Sequence, residues 1–275
     1  MKVTITGGTG LIGAKLTERL RERGDEVTTL SLREDELAPK LEGRDAVVHL
    51  AGENLAQRWN DKTKREILAS REEGTRRLVR ALPDSVKTLV SASAVGYYGP
   101  RGAEEVTEDD PAGDDFPARV CVAWEREANN AGARVVTIRT GVVLDASGGA
   151  LAKMLPPFKL GIGGPVAGGK QYMPWIHVDD LVGIYVAALD NADWQGPVNA
   201  TAPNPATNAE FSKALGRALH RPAVLPIPGS ALHALYGEMA VIVTTGQRAV
   251  PRQALAHGYE FGHPDLAEAL NHALT

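Results

Sequence analysis

Three glycines near the start of the chain have the spacing of a phosphate-binding turn. They lie in the run Thr6-Gly7-Gly8-Thr9-Gly10-Leu11-Ile12-Gly13, which separates a buried-strand pattern from a helix pattern. A tight turn needs the first glycine, a close approach to a pyrophosphate needs the second, and helix–strand packing needs the third. The amino terminus of the helix then presents free N–H groups and the positive end of its dipole to the phosphates. The predicted dinucleotide-binding residues are therefore Gly7, Thr9, Gly10, Leu11, Ile12 and Gly13.

The end of the second predicted strand bears on which dinucleotide is bound. NAD sites usually place an Asp or Glu here to bind the ribose 2′-hydroxyl, whereas this chain has Ser31-Leu32-Arg33. A hydroxyl and a guanidinium suit a 2′-phosphate, which Arg can hold with two hydrogen bonds. The alternative for Arg33 is a solvated surface charge, which the neighbouring Glu34 could partly cancel. Ser31 and Arg33 therefore favour NADP(H), with NAD(H) as the alternative.

Alternating strand and helix patterns must position these residues. Strands rich in Val and Leu, separated by helices, are typical of a parallel sheet that is covered on both faces. After Gly141 the pattern changes to a glycine-rich stretch with Pro156 and Pro157, and helix patterns dominate from Thr207 onward. The sequence predicts an α/β fold, a doubly wound Rossmann sheet with a smaller, mostly helical C-terminal substrate domain. Residues 1–150 and about 174–198 would form the NADP-binding domain, and residues 151–173 and 199–275 the cap.

Composition excludes several classes of protein. The 275 residues include 30 Lys and Arg against 34 Asp and Glu, a net charge of −4, which disfavours general binding to nucleic acid or to a membrane surface. The single cysteine, Cys121, excludes an internal disulfide and a multi-cysteine zinc site. No apolar run approaches the ~18 residues of a membrane span, and no signal-peptide pattern is present. We expect a cytoplasmic monomer or homodimer with a small-molecule substrate.

Further motifs extend over nearly the whole chain. Together with the glycine turn they are His49-Leu50-Ala51-Gly52-Glu53-Asn54, Ser70-Arg71, Gly96-Tyr97-Tyr98-Gly99, Trp124-Glu125, Arg139-Thr140-Gly141-Val142-Val143-Leu144, Pro174-Trp175-Ile176-His177-Val178-Asp179-Asp180-Leu181 and Gly246-Gln247-Arg248. In this combination the chain resembles an atypical extended short-chain dehydrogenase/reductase, of the epimerase/dehydratase-like group called epimerase family proteins. The resemblance implies bound NADP(H) and a C-terminal extension particular to the group. It also implies cofactor contacts from Leu50, Ala51, Gly52, Glu66, Arg71, Ser91 and Leu144.

The residues that such enzymes use for catalysis are absent. Members usually carry Tyr-x-x-x-Lys, in which the Lys lowers the pKa of the Tyr phenol, together with a Ser or Thr. The register set by Glu125 puts Pro117 in the Tyr position and Cys121 in the Lys position. Proline has no proton to exchange, and Cys121 has no fixed positive charge. Ser93, Tyr97 and Tyr98 are the candidate substitutes, and the alternative is that both phenols only pack against cofactor or substrate.

Aromatic residues are scarce in this chain, with 4 Trp, 6 Tyr and 4 Phe. Several fall on segments predicted to surround the cleft, where aromatic side chains commonly line pockets. The predicted substrate-binding residues are Trp59, Phe116, Tyr172, Trp175 and His177, next to Tyr97 and Tyr98. An alternative for His177 is a hydrogen-bonding core residue. His177, Asp179 and Asp180 do not share a face, so no metal site is predicted.

Two functions follow from these observations. The first is an oxidoreductase or epimerase that uses NADP(H) on a small polar substrate such as a sugar. The second is a sensor or scaffold that binds NADP(H) without turnover, which the missing Tyr and Lys favour.

Overall fold

Six parallel strands form the central sheet of the computed structural model, which describes residues 1–275. In chain order they are β1 (Lys2–Thr6), β2 (Glu26–Leu30), β3 (Ala46–His49), β4 (Thr88–Ala94), β6 (Arg134–Thr140) and β10 (Gly196–Ala200). The remaining short strands are β5 (Glu105–Val106), β7 (Val142–Leu144), β8 (Tyr172–Met173), β9 (Trp175–His177), β11 (Ala206–Thr207) and β12 (Arg248–Ala249). The six strands lie in the order β10-β6-β4-β3-β1-β2. The predicted parallel sheet is confirmed.

Ten α-helices surround this sheet. They are α1 (Leu11–Glu22), α2 (Asp61–Arg80), α3 (Phe116–Ala128), α4 (Gly149–Lys159), α5 (Val178–Asp190), α6 (Asn208–Ala218), α7 (Gly229–Tyr236), α8 (Val241–Thr244), α9 (Arg252–Ala256) and α10 (Leu266–Ala273). None of the helices has the combined length and hydropathy that a bilayer span requires.

Helices cover both faces of the sheet, as a doubly wound fold requires. Val48 and Val90 pack with α1 and α5 in one hydrophobic cluster, whereas their neighbours Val47 and Leu89 pack with α2 and α3 in another. Successive side chains of a strand point to opposite faces. Both faces of β3 and β4 are therefore buried, which explains their uninterrupted apolar sequences.

Local capping sets where the two long helices begin. The Asn60 side chain accepts a 2.9 Å hydrogen bond from the Thr63 N–H at the start of α2. Asp115 does the same for Ala118 at the start of α3, also at 2.9 Å. Such caps satisfy N–H groups that a helix cannot pair internally. Asn60 and Asp115 therefore fix the first residues of α2 and α3.

A second hydrophobic core supports the C-terminal part. Leu151, Phe158, Phe211 and Leu270 join α4, α6 and α10, and Trp175 of β9 is buried among them. The glycine-rich stretch after Gly141 thus contains α4, and its two prolines lie inside that helix. The helical character of the C-terminal part is confirmed, while the proposed domain boundaries stay a prediction.

Candidate functional site

The glycine turn has the geometry that its spacing predicts. Gly7 has φ +72°, a conformation that side-chain-bearing residues rarely adopt. A Cβ on Gly13 would lie 2.4 Å from the Gly7 carbonyl oxygen, so only glycine lets α1 approach the turn. Gly10 is the N-cap of α1 and offers no side chain to its first turn. The N–H groups of that turn are therefore left for a ligand, and negative charge is favoured there.

A cavity of about 550 Å³ lies against this turn. One side is formed by the turn itself, and another by the carboxyl end of β4 from Ala92 onward. The inner face of α3, strand β7 and the segment from Val241 to Gln247 complete the wall. Ligands of open parallel sheets bind at the carboxyl ends of the strands. The cavity therefore has the position expected for the nicotinamide end of a dinucleotide and an adjoining small molecule.

The loop after β2 presents its cationic side chain to solvent. Ser31 and Arg33 are both exposed, and the Arg33 guanidinium makes no hydrogen bond or ion pair. The Glu34 carboxylate pairs with Lys40 at 2.6 Å and makes no ion pair with Arg33. Arg77 of α2 holds the loop by donating to the carbonyl of Leu32 at 2.6 Å. Arg33 is thus available to an anion at the β2 end of the sheet.

The residues that follow β3 contact the glycine turn. Leu50 lines the cavity, and a Cβ on Gly7 would lie 2.9 Å from the Ala51 nitrogen. His49, fully buried, is hydrogen-bonded through Nδ1 to Thr6 Oγ1 at 2.6 Å and through Nε2 to Thr75 Oγ1 at 2.9 Å. Burial, and then the nearby Arg71 charge, lower the pKa of His49 to about 3. A neutral imidazole therefore ties α2 to the sheet beneath the site.

Arg71 is the one Lys or Arg side chain that lines the cavity. Its Nη1 donates to the Glu53 carbonyl at 3.0 Å, and its Cζ lies 4.9 Å from the centre of the Trp124 ring. Burial lowers the pKa of this guanidinium, although an Arg keeps its charge in proteins. Its guanidinium also lies against Gly52, where a Cβ would be 3.0 Å from Cζ. Arg71 therefore lines the cavity, and its contact with the cofactor stays a prediction.

Two residues in the positions of the missing catalytic pair do line the cavity. Pro117 and Cys121 both face it from α3, so the register set by Glu125 placed them in the site. Burial, followed by the Glu125 charge, raises the pKa of the Cys121 thiol to about 12. The thiol stays protonated and neutral, which makes it a poor nucleophile.

Ser93 enters the cavity from β4 and is held by a buried ion pair. Its hydroxyl donates to Glu125 Oε1 at 2.6 Å. Arg139 donates to the two oxygens of the same carboxylate from Nε and Nη2, both at 2.9 Å. Burial alone would lower the pKa of Arg139, but the Glu125 carboxylate raises it above its usual value. The Ser93 hydroxyl uses its single proton in the hydrogen bond to Glu125. The Ser93 oxygen can therefore only accept a hydrogen bond from a ligand.

Neither Tyr97 nor Tyr98 lines the cavity. The Tyr98 phenol is buried, donates to Asn199 Oδ1 at 2.7 Å and accepts from Arg139 Nη1 at 3.0 Å. Burial raises its pKa to about 12, which opposes proton exchange near neutrality. The Tyr97 ring covers the Arg139 guanidinium, with 3.5 Å between Cζ and the ring centre. The geometry gives both phenols a packing role around Arg139 and does not support their proposed role as the acid.

The predicted ring of aromatic residues forms at only one position. Tyr172 lines the cavity. Trp59 and Phe116 instead pack edge to face at 5.1 Å between ring centres. Trp175 is fully buried in the second core, and His177 is buried as the N-cap of α5. These four side chains lie outside the lining because they pack against other segments of the chain, which buries their rings.

The remaining predicted residues also lie outside the lining. Glu66 is exposed on α2 and pairs with Lys62 at 3.7 Å, so it faces solvent rather than the cofactor side. Ser91 and Leu144 are fully buried in the core. Thr9 is exposed on the turn.

The C-terminal segment contributes a wall that sequence patterns did not predict. Its lining residues are Val241, Ile242, Thr245, Gly246 and Gln247. Gly246 must be glycine, because a Cβ there would lie 2.0 Å from the Tyr172 carbonyl oxygen. The only sequence signal for this wall was the motif Gly246-Gln247-Arg248. Trp124 also lines the cavity, and its only sequence signal was the motif Trp124-Glu125.

Comparison with known proteins agrees with this geometry. Residues 3–200 match a family described as the NAD dependent epimerase/dehydratase family. The chain belongs to that family. Residues 227–273 match a second model, described as a domain of unknown function, DUF1731. The resemblance stated from the motifs, to an extended epimerase/dehydratase family with its own C-terminal extension, is confirmed.

Relatives match this family member over its full length. Epimerase family protein SDR39U1 of Bos taurus is 43% identical, with 100% of each chain covered. The Arabidopsis thaliana homolog, named chloroplastic, is 40% identical over 98% of this chain and 86% of its own. The crystal structure of human SDR39U1 with NADPH superposes with a TM-score of 0.94 at 42% identity, covering 100% of both chains. The Rossmann fold of the epimerase family is therefore established for this chain.

Proposed function

We propose that this protein binds NADP(H) at the glycine turn and uses it as an oxidoreductase or epimerase on a small substrate. The observation that carries the proposal is a single cavity that runs from the glycine turn to the C-terminal segment. A bound dinucleotide would place its phosphates at the start of α1, which packs against the turn only because Gly13 has no Cβ. The NADPH in the human structure supports this choice of cofactor.

Three side chains of this protein would act on the bound cofactor and substrate. NADP(H) supplies or accepts hydride when bound. Arg71 provides the positive charge that the absent Lys would have supplied, and it lies on the cofactor side. Ser93, oriented by Glu125, accepts a hydrogen bond from a substrate hydroxyl. Tyr172 is the one phenol in the lining and is the candidate that delivers or removes the substrate proton.

The walls of the cavity constrain the substrate. Near the C-terminal segment the lining is apolar, with Val95, Met173, Val241 and Ile242. The polar groups there are few and include Thr245 and Gln247. Such pockets fix a ligand by a small number of polar groups and bury the rest against apolar walls. We therefore propose a small substrate, such as a sugar-like compound, that has a carbonyl or alcohol group. The rest of this substrate would be small enough to pack against the apolar walls.

A non-catalytic NADP(H) sensor or scaffold is the second candidate. Pro117 and the neutral thiol of Cys121 occupy the positions of the usual acid and its cation, which favours binding without turnover. The cytoplasmic location and the monomeric or homodimeric state stay predictions, and the plant relative is named chloroplastic.

Cofactor binding is tested first, by titrating the protein with NADPH and with NADH and following fluorescence. We expect saturable binding with a preference for NADPH. Gly13→Ala should abolish it, because the added Cβ would meet the Gly7 carbonyl at 2.4 Å. The matched control is Gly132→Ala, whose Cβ would meet nothing within 4 Å. Failure of the wild-type protein to bind either dinucleotide would rule out the proposal.

Turnover is tested separately with nucleotide sugars and small carbonyl compounds, followed by nicotinamide absorbance and, for isomers, by product analysis. Activity that falls about 10²–10⁴-fold in Tyr172→Phe, with NADPH affinity unchanged, would assign the proton-transfer role to that phenol. Equal activity in Tyr172→Phe and wild type would remove Tyr172 from the mechanism. Tight NADPH binding without turnover of any compound would favour the sensor.

A further inference from the structure

Four metal-ligating side chains converge outside the cavity lining. They belong to His177, Asp179, His263 and His272, and one ligand atom from each lies within 4.8 Å of all the others. None of the four lines the cavity. The cluster is therefore separate from the cavity of the proposed site.

The distances between ligand atoms are close to those around a small metal ion. His177 Nε2 and His272 Nδ1 are 3.1 Å apart. Asp179 Oδ2 lies 3.8 Å from His263 Nε2 and 3.6 Å from His177 Nδ1, which is the other nitrogen of the His177 ring. Tetrahedral zinc, with bonds of about 2.0–2.1 Å, separates its nitrogen ligands by roughly 3.3 Å. The four ligand atoms lie within 4.8 Å of one another, so binding one ion requires side-chain rotations that bring them to this spacing.

The fold brings these residues together from two distant parts of the chain. His177 ends β9 and Asp179 lies in the first turn of α5, while His263 precedes α10 and His272 lies in its last turn. Asp180 fixes the incoming loop, because its carboxylate accepts the His263 N–H at 3.0 Å. Asp180 thus faces the backbone instead of the cluster. The sequence prediction of no metal site considered only His177 and its two neighbouring aspartates, and it missed both distant histidines.

The three imidazoles are packed as closely as aromatic rings allow. The His177 and His263 ring centres are 3.9 Å apart, and those of His263 and His272 are 4.5 Å apart. Neutral imidazole is the form that binds metals. His177 is buried, whereas Asp179 and His272 are exposed, so an ion can reach the cluster from solvent.

We propose that His177, Asp179, His263 and His272 bind one divalent transition-metal ion, with Zn²⁺ as the preferred ion. Three imidazoles and one carboxylate suit Zn²⁺, and four protein ligands without an open position are typical of structural zinc. Bound metal joins the loop before α10, and α10 itself, to the start of α5. It would thereby hold the C-terminal extension on the nucleotide-binding part of the fold.

The experiment uses full-length, untagged, metal-free protein titrated with Zn²⁺ by calorimetry. Co²⁺ serves as a spectroscopic probe, since its visible absorption reports tetrahedral coordination. We expect one ion per chain and a melting temperature that rises with Zn²⁺, because an ion that binds only the folded state stabilises it. His263→Phe and His272→Phe keep an aromatic ring but remove a ligand, and each should weaken binding by at least about tenfold.

The matched control is His233→Ala, an exposed histidine on α7 outside the cluster. It should bind Zn²⁺ as the wild type does. Circular dichroism and melting in the absence of metal establish that the Phe variants remain folded. Absence of stoichiometric binding, wild-type affinity in both Phe variants, or equal loss in His233→Ala would overturn the proposal.

Discussion

The side-chain amide of Gln247 donates a 2.7 Å hydrogen bond to the carbonyl oxygen of Val95. Both residues line the cavity. This bond joins the C-terminal segment to the carboxyl end of β4, next to Ser93. The extension of unknown function is thus part of the wall of the site, rather than an appendage to it.

Replacing Gln247 with Ala should lower the free energy of unfolding by about 1–3 kcal/mol, because a buried carbonyl loses its partner. Gln57→Ala is the matched control, since Gln57 also donates to a carbonyl at 2.7 Å but at an exposed site. That variant should stay within about 0.5 kcal/mol of the wild type. Urea denaturation measures both. Equal effects would show that the Gln247 bond does not hold the segment in place.

The buried pair of Glu125 and Arg139 should be far more important for stability than exposed pairs. Glu125→Gln leaves the Arg139 charge without compensation in the interior, and we expect a loss of about 3–5 kcal/mol. Glu105 pairs with Arg248 at 3.6 Å with both side chains about half exposed, so Glu105→Gln should cost under about 1 kcal/mol. Denaturant titration checks the difference. Similar small losses in both variants would mean that Arg139 finds another partner.

Arg33 should determine the preference for the 2′-phosphate. Arg33→Ala should weaken NADPH binding by about 10–100-fold and leave NADH binding nearly unchanged, because only NADPH carries the phosphate. Arg19→Ala removes another exposed arginine, from the last turn of α1, and should change neither affinity. Fluorescence titration with both dinucleotides provides the test. Parallel losses for NADPH and NADH in Arg33→Ala would exclude a specific phosphate contact.

His49 should make the protein less stable in mild acid. Its pKa is about 3 in the folded protein, as against about 6.5 when unfolded, so the unfolded state binds more protons between these values. The contribution of neutral His49 to the free energy of unfolding is therefore fully present above about pH 6.5. It falls as the pH drops, by up to about 1.4 kcal/mol per pH unit. Between about pH 6.5 and 5 most carboxylates stay ionised, so the effect of His49 can be measured there apart from the effect of carboxylate protonation.

The variant His49→Gln should have a shallower slope of unfolding free energy over that pH range. His233→Gln, at an exposed position, should keep the wild-type slope. Chemical denaturation at a series of pH values measures this. An unchanged slope in His49→Gln would show that the buried imidazole does not resist protonation.

Local features of this protein were predictable because they depend on residues near one another in sequence. Gly7 and Gly13 are required by a turn and by the helix that follows it, and both requirements extend over only a few residues. The parallel sheet follows from apolar runs separated by helices. Pro117 and Cys121 could be placed in the site because a helix keeps a constant spacing from Glu125.

Only the tertiary structure decided which side chains share the cavity. Tyr98 follows the end of β4 closely, yet its phenol pairs with Asn199 and Arg139 instead of facing a ligand. Gln247 is separated from Val95 by more than half the length of the chain. His272 also contacts His177 from a helix that is distant in sequence. Such contacts depend on how separate elements pack, where burial and hydrogen bonding compete for each side chain. The sequence by itself determined the dinucleotide turn and the sheet, whereas packing decided the wall of the site and the histidine cluster.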